Sequence, residues 1–345
     1  KLKYKYEKEE TLANVPVWEQ EKLALYTKEL PAMLHILSED PDGLAGIDQE
    51  KMRAVTIGRM KIIKPYRDKM ENNYPWCIAA VPGKAWAKKV FPALQVNRAV
   101  DALWDAILKA SRADGPDPVR EWARHNDNLA KRCDYLNRLG LTALEYKSSN
   151  GTDLRVGLLP NTDFMGGGES DLKGHYYNPN IPSEEIFTTP RAGDADGIVY
   201  ATKPLSYQGQ LIENFSVRFE KGKVVEVNAE KNRELLEKMV SMDEGAAKLG
   251  ECALIAYDSP INNLGILFYN TLFDENASCH LALGRGFGNC VRGYEDMTNE
   301  QLKEYGINDS MIHVDFMIGS KDLSITGITK NGERVPIFRD GNWAF

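Results

Sequence analysis

The sequence holds 345 residues, 43% hydrophobic and 27% charged, with 43 basic and 50 acidic side chains and a formal net charge of −7. At roughly 150 residues per domain this is room for about two domains with cores of their own. The composition excludes disordered, collagen-like, coiled-coil and disulfide-scaffold chains, and the scattered Lys and Arg exclude a nucleic-acid groove.

The first residues, KLKYKYEKEETLANVP, are charged and lack the apolar core of a secretory signal. No apolar run approaches the roughly 18 residues of a membrane helix. Met33-Leu34-His35-Ile36-Leu37 reads as a short buried strand ending in the turn cluster Ser38–Gly43. Asp48 then caps a helix expected to break or kink before Pro65, and Trp76–Val81 reads as a second buried strand stopped by Pro82-Gly83. Helices are predicted over Asn97–Ala110 and Val119–Leu139, the latter closed by Gly140.

After Gly140 the pattern turns to strands. Thr142–Tyr146 and Asp153–Leu158 flank the hairpin signal Ser148-Ser149-Asn150-Gly151. Further strands are predicted at Gly197–Ala201, Leu211–Phe219 and Val224–Asn228, the last two joined by a tight turn at Glu220–Lys223. Helices are expected near 230–248 and 276–284, and strands near 252–257 and 312–318. The fold class is α/β, with an N-terminal α/β domain over 1–140 and a mixed α/β domain over 141–345. Five cysteines, Cys77, Cys133, Cys252, Cys279 and Cys290, contain no C-x-x-C pair; this points to a reducing, cytoplasmic compartment rather than a disulfide framework or zinc ribbon.

Only five histidines are present. His35 in an apolar strand reads as a core residue, His125 on a polar helix as a solvated one, and His175 sits in a Gly- and Tyr-rich loop. His313-Val314-Asp315 is H-x-D in a strand, so period two puts imidazole and carboxylate on one face. That pair is either hydrogen-bonded to itself or holds a divalent cation. His280, in Asp274–Gly284, reads as the start of a helix capped by Asp274 or Asn276, bonding a carbonyl or a metal. Glu251 opens an apolar strand, as an exposed strand end or a buried, partnered acid. Glu184-Glu185 after Pro182-Ser183 reads as a first helical turn.

Four stretches, Asn180–Thr188, Gly250–Leu254, Thr271–Gly284 and Ile312–Gly319, resemble in order and spacing the thermophilic aminopeptidase family, metal-dependent exopeptidases of the aminopeptidase T and S type. The similarity runs from about residue 20 to the C-terminus. The resemblance implies a site for two divalent cations (zinc, cobalt or manganese, with magnesium less suited) held by Glu185, Glu251, His280, His313 and Asp315. It places Glu251 between the ions, with Glu251, or else Glu184, carrying the proton to the leaving amine. It further implies short-peptide substrates and a homodimer enclosing the active sites. Family members begin with a further strand–helix portion that is lacking here, an expectation of a processed or incomplete N-terminus. The family's tyrosine after Ala-Leu-Gly is replaced by Phe287, which cannot donate a hydrogen bond; Arg285 or Tyr294 are the candidate substitutes.

Two other readings compete. A phosphate-binding α/β protein would need G-x-G-x-x-G or a P-loop, and neither Gly166–Gly168 nor Gly284–Gly288 has that spacing. A weak or silent family member acting as a peptide-binding protein is suggested by Phe287.

Overall fold

Gly140 takes the left-handed conformation that ends the helix Pro118–Leu139, and the chain enters strand Leu141–Lys147 at the next residue. A computed structural model describes residues 1–345. From Leu141 onward, strands Leu141–Lys147 and Asp153–Leu158 form the expected hairpin, antiparallel with Leu144 opposite Val156. They lie in the middle of a nine-stranded sheet, which Pro190–Tyr200, Gln210–Glu220 and Lys223–Lys231 extend on one side and Ser324–Thr329 and Arg334–Arg339 on the other. A second sheet of four antiparallel strands runs in the order His313–Met317, His280–Gly284, Leu249–Leu254, Ile186–Thr188. Leucine, isoleucine, valine and phenylalanine side chains from both sheets merge into one apolar cluster.

The N-terminal part is a parallel strand–helix–strand unit. Met33–Leu37 pairs with Trp76–Ala80, and the helix Gln49–Met70 joins them, capped by the Asp48 carboxylate on the Glu50 and Lys51 N–H groups. Helices Leu2–Tyr6, Glu9–Ala13 and Val17–Glu29 precede it. A smaller core around Trp86, Leu103 and Ile107 takes in Ile261, Phe268 and Phe273 from far along the chain. Leu129, Cys133 and Leu136 of the helix before Gly140 pack in turn into the larger cluster. Apolar packing therefore crosses residue 140 in both directions. No helix is long and apolar enough to cross a membrane.

Several elements differ from the sequence reading. Residues 280–284 form a strand, not a helix, after the short turns Thr271–Asp274 and Glu275–Ala277. A five-residue apolar run carries no periodicity that separates buried strand from helix, and partners on both sides decide the matter. Glu184-Glu185 lies in the extended approach to Ile186–Thr188, with no helix to open. The helix through Pro65 continues to Met70; the residue that loses its bond, Lys61, is exposed, so water can satisfy its carbonyl. The helix expected over 230–248 is confined to Arg233–Val240, followed by a short turn at Gly245–Ala247.

The two bland histidine assignments are interchanged. His35 is exposed, as are Leu34 and Ile36 beside it, because its strand has a single neighbour in a two-stranded sheet. His125 is buried: with Leu129, Cys133 and Leu136 it lies on the inward face of its helix, at helical spacing.

Candidate metal centre

Strand register assembles the centre. Ala282 stands opposite Glu251 on one side and opposite Asp315 on the other; Ala253 pairs with His280, and Gly284 with His313. Cross-strand partners share a sheet face, so Glu251, His280, His313 and Asp315 all project from one side. Between them stand Ala253, Ala282 and Gly284, small residues that leave space above the sheet. The opposite face carries Cys252, Leu254, Leu281, Leu283, Val314 and Phe316, all in the main core. Glu185 reaches the same place from the residue before strand Ile186–Thr188. Gly284 sits at φ 105°, where a Cβ would come within 2.1 Å of the Ile312 carbonyl oxygen; only glycine fits there.

The five side chains form two groups, Glu185–Glu251–His280 and Glu251–His313–Asp315, whose ligand atoms lie within 4.8 Å of one another in each group. Glu251 belongs to both. His280 Nε2 is 3.3 Å from Glu185, and His313 Nε2 is 3.1 Å from Glu251 and 3.2 Å from Asp315. Each imidazole uses its other nitrogen on a main-chain carbonyl: His280 Nδ1 donates to Glu275 at 2.9 Å and His313 Nδ1 to Arg285 at 2.7 Å. Those bonds fix both rings with Nε2 toward the carboxylates, the usual outer support of a metal-ligating histidine.

The close, buried charges of the cluster shift one another strongly. Burial, with the charges of Glu185 and Asp315, lifts the Glu251 carboxyl to about 7 against the opposing pull of His313. Burial alone would lower His280, but the bond to Glu185 and the charges of Glu185, Glu251 and Asp315 outweigh it and raise the ring to about 10. His313 is raised in the same way by Asp315 and Glu251, again against burial. Burial disfavours the Asp315 carboxylate, yet His313 and His280 hold it below its ordinary range. Asp315 Oδ1 is buried and lacks a hydrogen bond of acceptable geometry, although His313 stands within ion-pair distance. Three carboxylates and two imidazoles with inward-facing acceptor atoms fit divalent cations.

None of the three supporting candidates joins the five-residue cluster, although Arg285 lines the cavity beside it. Glu184 turns away from the cluster: both its oxygens accept from Arg112 at 2.6 Å, beside buried His125, which bonds the Ser183 carbonyl. Its main-chain N–H is held at 2.7 Å by Asn276 Oδ1. The Arg285 side chain is paired with Glu71 at 2.9 Å, leaving only its carbonyl on His313. Tyr294 packs in a separate small cluster with Leu159 and Val291. Phe287 does reach the site, its ring 4.9 Å from that of His313 and 5.2 Å from Phe187. The remaining histidine of the loops, His175, is tied to Asp171 in a tight turn and takes no part.

Two acids escaped the sequence reading. Glu275 feels Asp315, Glu185 and Glu251, and burial with those charges raises its carboxyl well above the ordinary range. It stands in the stretch read as a helix start, where an acid needs no further explanation. Glu169 lines, with Glu185 and Glu251, a cavity of about 520 Å³ whose other wall is Tyr26, Arg67, Tyr74 and Trp76 from the N-terminal part. Nothing in its local sequence singles it out.

A family model for "Thermophilic metalloprotease (M29)" matches residues 1–343. The chain is 43% identical to aminopeptidase AmpS of Bacillus subtilis, covering 100% of this chain and 84% of that protein. It is 39% identical to aminopeptidase T of Thermus aquaticus over 96% of this chain and 81% of the relative. Among solved structures, wild-type AmpT from Thermus thermophilus superimposes with a TM-score of 0.90 at 37% identity, covering 100% of this chain and 84% of that one.

Proposed function

The chain belongs to the thermophilic metalloprotease (M29) family, and we propose that it removes N-terminal residues from short peptides at a two-cation centre formed by Glu185, Glu251, His280, His313 and Asp315. It is a metalloaminopeptidase, and so a hydrolase of peptide bonds. The observation that carries the two-cation reading is the pair of ligand groups sharing Glu251. When bound, the cations would polarise the scissile carbonyl and lower the pKa of the attacking water.

This chain's own residues supply the rest. His280 and His313 present Nε2 inward because their Nδ1 atoms are committed to carbonyls. Glu251, placed between the two groups, is the group to take the proton of the attacking water and pass it to the departing amine. Glu184 is not needed for that step; through Arg112 and Asn276 it fixes the backbone from which Glu185 projects. Zinc, cobalt and manganese suit the donor set, magnesium less well.

We also place the protein in the cytoplasm, a reading supported by five free cysteines, four of them buried. A homodimer is supported by apolar side chains exposed along one stretch, Leu94, Val96, Trp104 and Leu108. The silent-binder alternative rests on Phe287 alone.

The test is release of an aminoacyl-anilide, with its N-acetylated form as control. Metal-loaded protein should cleave only the free-amine substrate and lose that activity to a chelator. Chelator-insensitive cleavage, or equal cleavage of the blocked substrate, would overturn the proposal.

A further inference from the structure

Glu169 is an acid without a cation. It lines the cavity that holds Glu185 and Glu251, and it faces the charge of Glu185. Its one hydrogen bond comes from the Tyr177 hydroxyl, which donates to Oε2 at 3.3 Å. The Tyr177 ring rests against Trp76, centroids 6.3 Å apart, and Trp76 lines the same cavity. No lysine, arginine or histidine pairs with Glu169. Arg285, one of the cavity's two arginines, is already committed to Glu71, and the other, Arg67, makes no ion pair with Glu169.

A half-buried carboxylate beside other carboxylates is unfavourable unless something cationic completes it. The five-residue cluster does not use Glu169, which is not among the groups close enough to share an ion. An exopeptidase that acts at free N-termini brings a cation of its own, the α-ammonium of its substrate. We infer that Glu169, steadied by Tyr177, binds the substrate's α-ammonium group and thereby restricts cleavage to the N-terminal residue. This rests on the proposed function and adds the residue that reads the free amine. The strand Glu169–Ser170 pairs with Tyr176–Tyr177, so the carboxylate and its hydroxyl partner are set by one small hairpin rather than by a mobile side chain.

The experiment compares L-leucine hydroxamate with its des-amino analogue, 4-methylpentanohydroxamate, as inhibitors of metal-loaded wild type and Glu169→Gln, with turnover of an aminoacyl-anilide measured alongside. Wild type should bind the amino compound about 100-fold more tightly, the usual range for a buried charge-assisted pair. Glu169→Gln should lose nearly all of that preference while binding the des-amino compound as wild type does and keeping its metal content. Its anilide KM should rise more than its kcat falls. Glu169→Asp should regain part of the preference, and Tyr177→Phe should weaken it several-fold. A Glu169→Gln protein that keeps the full preference, or loses metal, overturns the inference and leaves the parent reading intact. A wild type without chelator-sensitive turnover overturns both.

Discussion

Loading the metal-free protein with divalent cations should expel protons, and the structure shows which groups must release them. His280, raised to about 10, and His313, raised well above its ordinary value, both carry a proton on Nε2 at pH 7. The Nδ1 atoms cannot relieve them, since each donates to a carbonyl. A cation needs the Nε2 lone pairs, so each ring must release its proton. Glu251, lifted to about 7 by burial and its neighbouring carboxylates, gives up part of a proton more, while Asp315 is already ionised. Full loading at pH 7 should therefore release about two protons per chain, one from each imidazole, with a further part from Glu251, and the affinity for each ion should rise about tenfold per pH unit near neutrality. The measurement is titration calorimetry in two buffers of different ionisation enthalpy, repeated at pH 6 and 8. Release of less than one proton, or an affinity flat across that range, would refute the account of two protonated histidines before loading.

Glu251→Gln should reduce kcat at least 1000-fold with the circular dichroism spectrum unchanged; wild-type rates would remove Glu251 from the mechanism. Phe287→Tyr places a hydroxyl donor beside His313 and should raise kcat at least tenfold, part of the roughly 100- to 1000-fold that one such donor contributes; an unchanged rate would show that the hydroxyl does not reach the reacting carbonyl. Arg112→Leu strands the buried Glu184 carboxylate and should cost about 3–5 kcal/mol of stability in denaturant unfolding; a loss below about 1 kcal/mol would mean the pair is not holding that loop. Burial and Arg112 depress His125 to about 4, below its unfolded value near 6.5, so its contribution is complete above pH 6.5 and is lost as pH falls toward 4. Wild type should thus lose about 2–3 kcal/mol between pH 7 and pH 4.5 that His125→Gln does not lose, and equal slopes for the two proteins would contradict this.

What the sequence made legible was what depends on neighbours along the chain. H-x-D in a strand puts His313 and Asp315 on one face whatever lies around it, and they do stand side by side. Gly140, the Ser148–Gly151 hairpin and the Asp48 cap were readable for the same reason. Glu251 was ambiguous because its burial depends on strand residues 31 and 64 positions away, and the row Glu251–Ala282–Asp315 exists only once register is set. The small residues Ala253, Ala282 and Gly284 signal nothing in sequence, yet they make the space above the sheet. The stretch 280–284 misled because its Ala and Leu residues favour helix, while strands on both sides satisfied its backbone as a sheet. His35 and His125 misled because composition was taken for burial: an apolar strand in a two-stranded sheet stays exposed, and a polar helix still has an inward face. Glu169 and Glu275 were hidden because acids in loops are common, and only the cavity shows what they face.

The account turns on one quantity, the number of divalent ions the chain retains. Native mass spectrometry of protein loaded with zinc or manganese and freed of excess should show two ions per chain, neither of them held at full strength by Glu251→Gln, since that carboxylate serves both groups. A wild-type chain that keeps no ion, or a Glu251→Gln chain that keeps both as tightly as wild type, would contradict it.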